Sequence, residues 1–184
     1  MTKKIFILTS LFLSIIWALT PPVLAESARV AGASAKLKTK IQKKEKDPRV
    51  IKLEAFLKKQ KSPLIGQANY FVQTADEYEL QKWKLTFLVP AITGVESSFG
   101  KQLPPNSHNA FGWAGGNRHW NSWEESIDHV SRALKENYID RGANSVFKIG
   151  PIYAESPTWA QRVAYFIKQI ESTPPLTEQL DFTL

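Results

Sequence analysis

From residue 47 onward, apolar side chains recur every three or four positions, the spacing that lines one face of an α-helix. Asp47-Pro48 has the form of an N-cap followed by proline at the first helical position, and Val50, Leu53, Phe56 and Leu57 carry the stripe to about Gln60. Ser62-Pro63 repeats the signal, with Leu64, Ala68, Phe71, Val72 and Ala75 behind it. A third helical stretch runs from Leu80 to Phe99 through Trp83, Leu85, Leu88, Ile92 and Val95. Pro90 must kink it or begin a fresh helix, and Gly100 supplies the stop. Between Lys101 and Asn121 the period disappears into Pro, Asn and Gly, with room for a small hairpin at Gly115-Gly116. Ser122 to Glu125 reads as a capping box ahead of Trp123, Ile127, Val130, Leu134 and Tyr138. Ser156-Pro157 opens a last helix whose buried side holds Trp159, Val163, Phe166, Ile167 and Ile170, and Thr173-Pro174-Pro175 ends it. The pattern predicts one mainly α domain over residues 48–172 with a polar, aromatic loop lobe in its middle. A loose tail follows over 173–184.

The chain ahead of that domain has a different character. Lys3 and Lys4 precede an apolar run from Ile5 to Leu19, then Pro21-Pro22 and Val23-Leu24-Ala25. This is the layout of a secretory signal, residues 1–25, with cleavage expected after Ala25. An uncleaved anchor is the alternative, although the run falls short of the ~20 apolar residues a spanning helix needs. Residues 26–47 are rich in Ala, Ser and Lys and cannot bury enough to offset their ordering entropy, so they read as a basic flexible linker. Such a linker is a weak candidate for adhesion to an anionic wall polymer or membrane surface. The expected location is secreted or otherwise outside the cytoplasmic membrane, in association with the cell wall.

Charge sharpens the division. The net charge of +7 comes entirely from residues 1–62, where 14 Lys and Arg face 4 acids; the remaining 122 residues hold 10 and 13. A folded domain that is slightly acidic argues against nucleic acid as a partner. The absence of Cys excludes disulfide scaffolds, thiol nucleophiles and Cys-ligated zinc, and three His without ligand spacing give no metal site. No cofactor is implied, and a monomer is expected.

Chemistry concentrates around Glu96. It follows Ile92 by four residues and Leu88 by eight, so it projects from the stripe expected to face the core. A carboxylate there must be paired, protonated or directed into a cleft. Partial burial would favour its protonated form, the state that can donate a proton to a glycosidic oxygen. Pattern alone leaves a second reading, a rim carboxylate paired with a Lys or Arg. Downstream, Asn109-Ala110-Phe111-Gly112-Trp113 offers an amide, a glycine permitting close approach and flat aromatic faces, with Trp120 beyond. Those aromatics are either platforms for sugar rings or filling for a small core.

Four motifs in order then resemble a known family: Ala91-Ile-Thr-Gly-Val-Glu96-Ser97-Ser-Phe-Gly100, Asn109-Ala-Phe-Gly-Trp113, Ser122-Trp-Glu-Glu-Ser-Ile127 and Ile152-Tyr153-Ala-Glu-Ser-Pro-Thr-Trp-Ala160. They look like those of bacterial glucosaminidase-domain autolysins (the mannosyl-glycoprotein endo-β-N-acetylglucosaminidase-like family of the lysozyme-like superfamily), over roughly residues 63–172. The resemblance implies an α+β, lysozyme-like fold and a peptidoglycan hydrolase that cuts β-1,4 bonds of the glycan strand. Glu96 would be its general acid and Tyr153 an aromatic hydroxyl in the cleft, with Ser97, Asn109, Phe111, Gly112, Trp113 and Trp120 binding substrate. Glycoside hydrolysis ordinarily uses two acids, yet no Asp or Glu lies between Gly100 and Trp123. The substrate's own 2-acetamido group could serve instead, or one acid could act twice, as in a lytic transglycosylase that forms 1,6-anhydro ends. A carboxylate from Asp76, Glu77 or Glu79 could also complete the cleft. A non-catalytic wall-binding module remains a further alternative.

Overall fold

A computed structural model describes residues 46–175. The expected signal segment, most of the linker and the tail beyond Pro175 lie outside the described residues. Within them the chain is mainly helical, with no strand: α1 (Pro48–Lys59), α2 (Ala68–Glu77), α3 (Leu88–Ser97), α4 (Trp123–Asn137), α5 (Val146–Tyr153) and α6 (Trp159–Glu171). The hairpin expected at Gly115-Gly116 is absent. Gly112 to Asn117 instead forms tight turns, in which the Gly116 N–H donates to the carbonyls of Gly112 (3.1 Å) and Trp113 (3.2 Å).

Helix starts follow their capping residues. The Asp47 carboxylate accepts from the Arg49 N–H at 2.8 Å at the head of α1. Ser62 accepts from the Leu64 N–H at 3.0 Å, but opens a 3₁₀ turn over Pro63–Gln67 that leads into α2. Ser122 caps α4 through the Glu125 N–H at 3.1 Å, while the Glu125 carboxylate accepts from the Asn121 N–H at 2.8 Å. The reciprocal bond of the capping box is thus displaced by one residue.

The stretch Leu80–Phe99 is not one kinked helix. Glu79 and Lys84 both take left-handed backbone (φ +57° and +59°), and the chain breaks there, well before Pro90. Pro90 falls in the first turn of α3, where its missing N–H would have had no intrahelical partner. The last helix starts at Trp159, with Thr158 rather than Ser156 at its cap position. Helix α5 carried no signal in the apolar spacing, because its exposed Phe147 and Ile152 blur the stripe. Thr173, expected to be loose, is buried and donates to the Gln169 carbonyl at 2.7 Å.

Helix α3 sits at the centre, packed by α2, α4 and α6. Its residues from Leu88 to Gly94 are all buried, as is Ser97. A helix apolar on every side is one enclosed by the fold. Its end is abrupt. Ser98, Phe99 and Gly100 all have positive φ (52°, 61° and 78°), and for the first two that backbone carries strain. The reversal drives the Phe99 ring back beneath its own helix, edge-on to Phe56 at 5.1 Å and to Phe166 at 4.9 Å. Gly94 makes room for it: a Cβ there would stand 2.5 Å from the Phe99 ring and 2.9 Å from Phe166. Gly94→Ala is therefore expected to destabilise the fold by about 1–3 kcal/mol through overpacking. Gly66→Ala, which meets nothing within 4 Å, is the matched control and should leave the denaturation midpoint nearly unchanged.

Candidate active-site cleft

Glu96 emerges in the last turn of α3, where the helix leaves its cover. It is solvent-exposed rather than partly buried as its place on the stripe suggested, because α3 is enclosed on all sides and its end supplies the opening. No Lys or Arg pairs with it among the described salt bridges. Its partner is the Trp159 indole, whose Nε1–H donates to Oε1 at 2.7 Å across the α3–α6 contact. That bond leaves Oε2 facing the loop. At Gly112 (φ +63°) a Cβ would lie 3.2 Å from Oε2, so glycine keeps the oxygen accessible.

The loop is fixed against α3 by the residue after Glu96. The Ser97 hydroxyl lies 2.8 Å from the Ala110 carbonyl and 3.0 Å from that of Thr93, and accepts from the Gly100 N–H at 2.9 Å. Asn109 then closes the turn on itself. Its Oδ1 accepts from the Trp113 N–H at 2.9 Å, and its Nδ2 donates to the Trp113 carbonyl at 3.0 Å. Ser97 is 2% exposed and Asn109 3%, and neither borders the cleft, where both were expected to bind substrate. Buried polar groups must be satisfied, and here satisfying them sets the loop's shape.

The remaining aromatics divide. Trp113 is half-buried and borders the cleft, edge-on to His129 at 5.1 Å. Phe111 borders it too, but with its side chain in the core at 2% exposure, so it forms floor rather than platform. Trp120, expected as a stacking face, is 3% exposed and packs near His129 under the guanidinium of Arg118. Its backbone explains why. The Trp120 N–H donates to the Ser107 carbonyl at 3.0 Å, and its carbonyl lies 2.8 Å from His108 Nδ1, which turns the ring inward.

Tyr153 ends α5 and stacks on the Trp159 indole at 4.6 Å and 25°. Its hydroxyl donates to the Phe111 carbonyl at 3.4 Å. Burial, reinforced by the charge of Glu96, pushes this phenol well above its ordinary range, so it remains a neutral hydroxyl at any physiological pH. Glu96, Phe111, Gly112, Trp113, Ala114, Gly115, Tyr138, Tyr153 and Ala154 together enclose a cleft of about 280 Å³. Glu96 is the only carboxylate lining it among the described residues. Asp76 is held by Arg49 at 2.6 Å and Glu79 by Lys82, so neither completes the cleft, and Glu77 does not border it.

Two residues here escaped the sequence pattern, Tyr138 and Trp159. Tyr138 appeared only in a buried helical stripe, and Trp159 in a stripe and in the last of the four motifs with no role assigned to it. For Trp159 a signal existed: a buried indole N–H needs an acceptor, and one residue type able to supply it stood at the end of α3. No family model, curated protein or solved structure matches this chain.

One titratable group governs the loop's foundation. His129 on α4 packs against both Trp113 and Trp120. Burial, followed by the charges of Arg132 and Arg118, holds its pKa below the ordinary 6.5. The fold thus keeps the imidazole neutral, while the unfolded chain takes up a proton near pH 6.5. Stability should fall as pH drops from 7 through 6.5, and this contribution levels off once the folded imidazole itself protonates. In His129→Phe, the thermal midpoint between pH 7 and 5.5 should show a visibly shallower slope than in the parent chain.

Proposed function

We propose that the chain is an exported enzyme with a lysozyme-like arrangement that cleaves β-1,4 glycosidic bonds of peptidoglycan on the N-acetylglucosamine side. The observation that carries this reading is a single exposed carboxylate with one oxygen anchored and the other open, at the edge of a cleft walled by Trp113, Tyr138 and Tyr153. Aromatic faces with polar edges suit pyranose rings, which carry apolar C–H faces and equatorial hydroxyls. The four-motif resemblance to glucosaminidase-domain autolysins points to the same substrate.

In this mechanism Glu96, solvent-exposed until a bound strand covers it, acts as the acid that gives a proton to the glycosidic oxygen as the C1–O bond breaks. With no second carboxylate lining the cleft among the described residues, the 2-acetamido oxygen of the substrate closes on C1 and takes the role of nucleophile. The Tyr153 hydroxyl, kept neutral, orients that acetamide. Water then opens the cyclic intermediate, with the Glu96 carboxylate accepting its proton, and a new reducing end forms. Trp159 is a positioning residue: its N–H fixes the rotamer from which Oε2 meets the substrate. The lone carboxylate equally favours a second reading, in which the sugar's own 6-hydroxyl attacks C1 and leaves an anhydro end.

Purified peptidoglycan decides among these. Parent chain should release fragments bearing new reducing ends, and Glu96→Gln should lower the rate by about 10²–10⁴-fold, the usual value of a positioned general acid. Fragments with anhydro termini and no new reducing ends would shift the assignment to a lytic transglycosylase. Undiminished lysis by Glu96→Gln would remove the acid role, and wall binding without lysis by either form would leave a binding module.

Trp159→Phe keeps an aromatic ring against Tyr153 and deletes the hydrogen bond to Oε1, together with some of the buried indole volume, so its folding midpoint is measured alongside its rate. It should lower kcat by roughly tenfold, the equivalent of one ordinary hydrogen bond of about 1.4 kcal/mol, with KM little changed. A change in KM alone would show that the indole merely supports substrate binding.

A further inference from the structure

Resting on the peptidoglycan reading above, we infer that a second groove beside the cleft holds the peptide that branches from the glycan strand. Ala154 borders both cavities. The second, of about 470 Å³, lies within the ~300–1,000 Å³ range of pockets that take small ligands. Its lining differs from that of the cleft: Phe147, Pro151, Ala154, Pro157 and Ala160 give apolar walls, and Glu155 is its only charged side chain among the described residues.

That composition fits a peptide better than a further sugar. The peptide stems of peptidoglycan are short, rich in alanine and, in most walls, carry a free amine on a diamino acid. Small methyl groups match the Ala and Pro walls, and the amine matches Glu155, which has no ion-pair partner among the described residues. The groove's floor is rigid. At Gly150 a Cβ would stand 2.8 Å from the Ala160 Cβ, so α5 and α6 are locked together beneath it. Phe147, 60% exposed at its rim, contributes little to the core and is free to cover a bound peptide. A strand lying in the cleft with its scissile bond at Glu96 would direct the stem of the adjacent sugar over Ala154.

The test compares two substrates, intact strands and the same strands stripped of peptide by an amidase, across the full chain and its variants. Phe147→Ala should lower kcat/KM on intact strands roughly tenfold, as expected for a truncated apolar contact. Glu155→Gln should lower it up to about fivefold, as for an exposed ion pair. Neither should alter the rate on stripped strands. Equal losses on both substrates would assign the groove to glycan, and no loss on either would leave it empty; each outcome overturns the inference. Titrating a free stem tetrapeptide into the chain and following the backbone amide signals of Gly150, Ala154 and Ala160 by NMR gives a readout independent of turnover. Shifts abolished by Phe147→Ala and weakened by Glu155→Gln support the groove even if the chain cuts no strand. Absence of shifts overturns it, while cleavage of stripped strands by the parent chain leaves the Glu96 reading intact.

Discussion

The hydrogen bond from the Trp159 indole to Glu96 Oε1, 2.7 Å long, ties the proposed chemistry of this chain to its fold. It joins the only exposed acidic position on an otherwise enclosed helix to the helix that covers it. The indole is buried, and the carboxylate supplies the acceptor that its N–H needs. The same indole carries Tyr153 on its face. One side chain of α6 therefore sets both the rotamer of the acid and the place of the phenol.

The loop lobe answers to a parallel constraint. Its long stretch without regular structure would be costly to order unless the chain supplied internal bonds. Ser97 and Asn109 supply them from buried positions, and the His129–Trp113–Trp120 packing supplies the apolar contacts. Most polar residues near the cleft thus shape the loop and do not reach its open face. The cleft borders a single carboxylate among the described residues because the loop supplies no Asp or Glu between Gly100 and Trp123, and the polar groups it does meet are occupied in holding Gly112 beside Glu96.

How much of this was legible in the sequence can be judged residue by residue. The helix starts at Asp47 and Ser122 follow from local rules, since caps and apolar period act within a few residues. Glu96 was found for the same reason, through its position relative to Leu88 and Ile92. Its exposure was misjudged, because periodicity assigns a face but not where neighbouring helices stop covering it. Asn109 and Trp120 were assigned to the ligand on residue type and Ser97 by the resemblance; their burial depends on hydrogen bonds among loop positions and α3 that no periodic pattern encodes. Pro90 suggested a break that the left-handed residues Glu79 and Lys84 in fact make, and nothing in their side chains announces that backbone. Trp159 meets Glu96 across 63 positions of sequence, a separation at which only the folded packing can bring them together.

A structure of Glu96→Gln with a peptidoglycan tetrasaccharide bound would test the central claim most directly, since that variant keeps the shape of the acid without its proton. The account predicts a glycosidic oxygen about 3 Å from the open side-chain atom of position 96, within hydrogen-bond reach, and an aromatic ring of Trp113 or Tyr138 against a sugar face. A tetrasaccharide bound on another face, or in the cleft with every glycosidic oxygen beyond reach of position 96, would contradict it.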